Sequence, residues 1–275
     1  MNELSKPHKE ILRLINPPGS RRVLVVEGEG DKVFIERQLD VAHAGWRSTW
    51  VVGVATGKSR VLDILKLEPT WLGVVDADEW DAATVAQVRA STPALHVLPR
   101  YCMESYFIQP GEVWAILPAV QQGLVAGGYA AFETAMLAPL ALWVRHGVLW
   151  QVVNPLRTGL KAKGFKDALL DITAAQNDQL IQAKLQEWDA YLDATTLYND
   201  FQTRLTAAQA LSSIEQLRTI VHGKSFFHAH VALTLTQFLK PPQNKQSPEY
   251  WLTELTKSIT AHADFGPLWT AMQLP

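Results

Sequence analysis

The apolar positions of this chain fall into two textures. Over roughly the first hundred residues, short β-branched runs alternate with longer segments patterned for helices. The runs are Arg22–Val26 (RVLVV), Ser48–Val54 (STWVVGV), Trp71–Val75 (WLGVV) and Ala94–Leu98 (ALHVL). Between them lie Asp31–Leu39, Lys58–Leu67 and Ala82–Ala90; in the second of these, Val61, Ile64 and Leu65 form one apolar stripe. Near-continuous apolar strands alternating with helices predict a parallel sheet covered by helices on both faces. After Pro110 the β-branched runs stop. Helical patterns over Ala130–Trp150, Phe165–Leu192, Leu197–Val221, Phe226–Leu239 and Pro248–Ala263 follow. Two breaks, Asn154–Gly164 (NPLRTGLKAKG) and Lys240–Ser247 (KPPQNKQS), are rich in residues that end helices. The expected organisation is α/β: a parallel-sheet domain over residues 1–115, then a mainly helical domain for dimerisation or partner docking over residues 116–275.

Two strands end in acid. The first runs into Glu27-Gly28-Glu29-Gly30-Asp31 and the third into Asp76-Ala77-Asp78. Parallel strands all point one way, so both acidic ends fall on the carboxyl edge of the sheet, where such folds place their ligands. Mg²⁺ (or Mn²⁺) prefers carboxylate oxygens and keeps waters that a phosphate can displace. Asp76 and Asp78 could aim at one ion, with Glu27 binding metal or moving a proton, and Gly28 and Gly30 would let a phosphate backbone approach. A plainer reading stands beside this one. Asp31 is placed to cap its own helix, and Asp76 or Asp78 could cap the helix that starts near Ala82.

Composition narrows the setting. Apolar residues make up 48% and charged residues 19%, a globular balance, and the net charge of −2 excludes a polycation. Nucleic-acid binding would need a local basic patch, metal or a partner. The single cysteine, Cys102, permits no internal disulfide and suits a reducing compartment. MNELSKPHKE lacks a signal-peptide core, and the apolar stretch Ala135–Val144 holds Pro139 and is too short for a bilayer. A cytoplasmic protein without a membrane segment is expected.

Other signals are weaker. Gly53–Ser59 (GVATGKS) has three residues between its glycines where a P-loop needs four, so no ATP hydrolysis is expected, although Lys58 at a helix N-terminus could hold a substrate phosphate. His228 and His230 fall on different helix faces, which argues against a zinc site with His222. Most of the ten tryptophans, including Trp143, Trp188 and Trp251, lie in apolar helical patterns and read as core. Arg157, Lys161, Lys163 and Lys166 crowd the Asn154–Gly164 break and its border, either as a phosphate contact or as a solvated loop.

The order strand–Glu27-Gly28-x-x-Asp31, then strand–Asp76-x-Asp78, resembles the Toprim domain of topoisomerases, primases and OLD-family nucleases. The resemblance covers about Arg22 to Pro110, less than half the chain. It implies a Rossmann-like parallel sheet, Glu27 as general acid/base, and Asp76 and Asp78 as Mg²⁺ ligands. A narrower likeness joins Arg100-Tyr101-Cys102-Met103-Glu104-Ser105-Tyr106-Phe107 and the later His222-Gly223-Lys224-Ser225 to the AriB-type effectors of PARIS anti-phage systems. Ser105 departs from the asparagine commoner there. That likeness implies a toxic, metal-dependent nuclease acting on RNA, above all tRNA. It also implies release from a separate ABC-type ATPase and dimerisation for activity. Glu104 would then be a further metal ligand and Arg100 and Lys224 phosphate contacts. Otherwise Glu104 pairs with Arg100 four residues earlier and Lys224 is merely solvated. Two other classes stay open: a non-catalytic binding or assembly subunit of an ATPase complex, and a DNA-cleaving Toprim enzyme.

Overall fold

A computed structural model of the chain describes residues 5–15, 21–165 and 177–274. All four expected strands form: β1 (Arg22–Val26), β2 (Trp50–Val54), β3 (Leu72–Val75) and β4 (Leu95–Val97). They make one parallel sheet in the order β2-β1-β3-β4. The interleaved helices are α2 (Glu29–Ala42), α3 (Lys58–Leu67) and α4 (Ala82–Ser91), preceded by α1 (Lys6–Leu14). Val23, Val25, Val61, Ile64, Leu65, Val75 and Val97 are buried in one core with Ile11 of α1. The predicted α3 stripe is therefore the face that covers the sheet.

The strand order carries the functional geometry. From β1 the chain crosses to β2 on one side, then returns past β1 to β3 on the other. The direction of winding reverses between β1 and β3, and a crevice opens at the carboxyl ends of strands at such a reversal. Glu27 leaves β1 and Asp76 leaves β3 at that crevice.

The division of the chain differs from one at residue 115. One compact unit comprises Met1–Ala138 together with Gly223–Pro275, and the other is Pro139–His222. The last fifty or so residues return to the sheet domain because their polar groups are matched there. The helix Pro248–Ser258 packs on α2 and on α5 (Pro110–Ile116). Gln38 donates to the Thr260 carbonyl at 3.1 Å and accepts from the His262 N–H at 2.9 Å, and Arg37 donates to the Lys257 carbonyl at 2.6 Å.

Several helix limits also differ. The expected Ala130–Trp150 helix is interrupted, α6 (Gly128–Leu137) ending before Pro139 and α7 (Leu140–Ala162) starting after it. The expected break at Asn154–Gly164 is helical as far as Ala162, with Pro155 inside α7. A proline there forfeits one hydrogen bond, and the good helix formers that follow, together with packing on the helix Ala194–Gln209, carry the helix through. Arg157 and Lys161 are thus on a helix rather than a loop. Lys163 pairs with Glu187 at 3.3 Å, and Lys166 and the first part of the expected Phe165–Leu192 helix lie outside the described residues. Asp178–Tyr191 of that expected helix is helical. By length and composition alone the run Gly128–Ala162 could cross a membrane; 33% of its most apolar stretch is buried within the protein.

Candidate functional site

Glu27 is the first residue beyond β1, and its side chain turns toward the neighbouring strand. Its Oε1 accepts the backbone N–H of Asp76 at 3.0 Å, so two residues 49 apart in sequence meet across the winding reversal. The Glu27 carbonyl accepts the Gly57 N–H at 2.9 Å, which ties the start of α3 to the same edge. Gly57 has φ +131°, a conformation open to glycine, and it delivers Lys58 to the acids. Lys58 Nζ lies 2.5 Å from Asp78 Oδ2 and 4.4 Å from the centre of the Trp80 ring. Asp78 itself adopts φ +48°, rare for a residue with a side chain, and its N–H is held by the Tyr101 carbonyl at 2.7 Å. Such a conformation persists only where neighbours fix it, and such positions gather at functional sites.

Neither Asp76 nor Asp78 takes the plain capping role, while Asp31 keeps part of it. Asp81 caps α4, accepting from the Thr84 N–H at 2.7 Å, so neither Asp76 nor Asp78 does so. α2 begins at Glu29 with Gly28 as its N-cap; Asp31 sits in the first turn and accepts the Gly28 N–H at 2.8 Å. Asp31 therefore closes the Gly28 loop and also belongs to the acidic edge, a second role that its helix-cap reading hid. The Glu-Gly-x-x-Asp spacing was the signal available for it.

Burial, and then neighbouring charge, raises three of the acids. Burial pushes Glu27 up to about 7 from an ordinary 4.5; the Lys58 charge and the Asp76 N–H hold it back, and Asp78 and Asp31 add to the rise. Burial pushes Asp31 up to about 6, opposed by the Gly28 N–H and Lys224 and aided by Glu104 and Asp78. Asp76 stands well above the carboxylate range, first through burial and then through the charges of Asp31, Asp78, Glu27 and Glu104. Five carboxylates thus share one edge with two lysines. Among the described residues, no three of these acids stand ready to close around one ion as they are placed. The donor set nonetheless fits a hard divalent cation: every group is a carboxylate oxygen, and the cluster is short of positive charge.

Lys224 reaches this edge from far along the chain. Gly223 packs so closely on the turn Met103–Phe107 that a Cβ there would stand 2.4 Å from Ser105 Oγ and 2.8 Å from Cys102 Sγ. The Gly-Lys pair is read in these contacts: glycine for the close approach, lysine for the charge felt by Asp31. Cys102 is buried, and burial pushes its thiol well up.

Arg100 corrects an expectation. It is fully buried and cannot contact a phosphate. Its guanidinium donates twice to Glu112, at 2.6 and 2.7 Å, to Asp264 Oδ2 at 2.9 Å and to the Ser105 carbonyl at 3.0 Å. It also stacks 4.1 Å from the Tyr106 ring centre. Its partner is Glu112, not Glu104, because the chain turns through Met103–Phe107 and brings α5 alongside. Glu104 is left half-buried beside the acidic edge.

His230 hydrogen-bonds the Ala135 carbonyl at 3.0 Å, His222 packs on Trp150 with ring centres 5.0 Å apart, and His228 lies 3.8 Å from Glu249. Trp188 and Trp251 are buried. No protein-family model matches this chain, and no curated protein matches its sequence.

Proposed function

We propose that this chain is a Mg²⁺-dependent phosphodiesterase of the Toprim class, with its active site at the carboxyl edge between β1 and β3. The observation that carries the proposal is the cluster itself. Glu27, Asp31, Asp76, Asp78 and Glu104 crowd one another there, and among the described residues Lys58 and Lys224 are the cations set against them. A fold gains nothing in stability from gathering unmatched carboxylates; a cation-dependent chemistry does gain from it. Asp76 and Asp78 would hold the ion with Glu104 nearby, and a bound Mg²⁺ would supply the charge that offsets the phosphate oxygens in the transition state. Glu27, held near 7, is suited to exchange a proton with the attacking water or the leaving oxygen. Lys58 and Lys224 are the cations free to turn toward substrate once the acids are neutralised.

The biological setting proposed is an anti-phage effector that acts in the cytoplasm on RNA, tRNA above all, restrained by a separate ATPase and active as a dimer. It rests on the Arg100–Phe107 and Gly223–Lys224 resemblance rather than on the edge geometry. The direct test is cleavage of labelled tRNA and of single-stranded DNA by purified protein with Mg²⁺ or Mn²⁺. Cleavage that disappears with chelator and in Glu27→Gln supports the proposal. Absence of metal-dependent cleavage on both substrates, by dimeric protein freed of partner, would leave the assembly-subunit reading in its place.

A further inference from the structure

We propose that Lys58 is a built-in competitor for the divalent ion, an intramolecular cation that occupies Asp78 until metal displaces it. The inference rests on the metal-site reading above and adds a gate to it. Three observations carry it. Lys58 Nζ is 2.5 Å from Asp78 Oδ2, a short charge-assisted contact to one of the acids assigned to the ion. The ammonium also lies over Trp80, 4.4 Å from the ring centre, and the lysine side chain is only 16% exposed. The loop that carries Asp78 is bent into φ +48°, with its N–H fixed by Tyr101, so the carboxylate is presented to Lys58 rather than swinging free. A surface lysine that merely decorates a helix start has none of these restraints.

The chemistry of the two cations decides the competition. An ammonium carries one charge and three donors, so it satisfies one carboxylate well and the remaining acids poorly. A divalent ion brings twice the charge, and Asp76 and Asp78 would hold it together. It should therefore displace Lys58, but at a cost: breaking the Lys58–Asp78 pair weakens the apparent metal affinity. The acids are kept from collapsing outward while no metal is bound, and weak or misplaced ions are rejected. An ammonium released from Asp78 stays on the same edge, where a substrate phosphate would arrive.

The test is a Mn²⁺ titration of the metal-free full chain, with free Mn²⁺ read by electron paramagnetic resonance. Wild type, Lys58→Met, Lys58→Gln, Lys58→Arg and Asp76→Asn are compared, each checked for folding by circular dichroism. Both neutral variants should bind Mn²⁺ about tenfold more tightly than wild type. Lys58→Met keeps the apolar stem over Trp80, so it answers for Lys58→Gln if that variant fails to fold. Lys58→Arg keeps a cation and should stay within about twofold of wild type. Asp76→Asn should lose most of its binding. Unchanged or weakened affinity in the folded neutral variants, with Asp76→Asn still deficient, would overturn the competitor and leave the metal site standing. No saturable binding in any protein, wild type included, would overturn both.

Discussion

Two acid-rich regions of the same compact unit behave in opposite ways. At Arg100 the acids are matched. Burial acts to raise Glu112, but hydrogen bonds from Arg100 and His262 outweigh it and bring the carboxyl down to about 2. At the carboxyl edge of the sheet the acids outnumber their cations, and burial with mutual repulsion lifts Glu27 to about 7 and Asp31 to about 6. Burial is common to both; the supply of counter-charge separates them. A matched cluster fixes architecture, here joining α5 and the C-terminal segment through Glu112 and Asp264. An unmatched cluster, on the proposed function, would be completed by a bound cation.

Breaking each region should therefore give a different phenotype. The largest effect is expected on catalysis: Glu27→Gln and Asp76→Ala should each lower metal-dependent cleavage on the order of a hundred- to ten-thousand-fold while the proteins remain folded. Initial rates of tRNA cleavage alongside circular dichroism would check this. Arg100→Ala should do the reverse, destabilising by about 3–5 kcal/mol because Glu112 and Asp264 are left without their cation. Urea unfolding reads that loss directly. A smaller loss, about 1–3 kcal/mol, is expected for Gly223→Ala, whose methyl group would collide with Ser105 and Cys102. That variant should also weaken the placement of Lys224, so its Mn²⁺ binding should change where a remote destabilising variant's does not.

The smallest effect sharpens the comparison most. Glu27 and Asp31 hold protons in the folded state at pH values where the unfolded chain has released them. Their contribution is fully present below about pH 4 and is lost as pH rises through 6 to 7. Glu112 has the opposite sign: its contribution is present above its ordinary 4.5 and is lost as pH falls through about 2. Metal-free protein should thus lose stability between pH 5 and pH 8, and Glu27→Gln should recover about 1 kcal/mol or more of it at pH 8. Thermal melts across that range would show whether the neutral variant is the more stable one, as expected for a residue kept for function.

Much of this was written locally in the chain. The β-branched runs located all four strands to within two residues, because an apolar strand buried on both faces has a composition of its own. Glu27, Asp76 and Asp78 were visible because they follow directly on such strands. What the sequence withheld is long-range. A helical pattern is the same whichever surface it packs on, so the return of Gly223–Pro275 to the sheet domain left no local mark. Arg100 was given a phosphate role by its motif; its true partners lie 12 and 164 residues away, and nothing in the motif names them. Pro155 signalled a break that neighbouring packing overrode. Trp80, which covers Lys58, sits in no periodic pattern at all.

On the proposed function, the acids of the β1–β3 edge are unmatched because a divalent ion completes them. Thermal unfolding of wild type and Asp76→Asn at pH 8, with and without saturating Mg²⁺, tests it most directly. A ligand that binds only the folded state at about a hundred times its Kd stabilises by about 2.7 kcal/mol. Mg²⁺ should therefore raise the melting temperature of wild type by several degrees and leave Asp76→Asn where it was. Equal shifts in the two proteins, or no shift in either, would contradict the account.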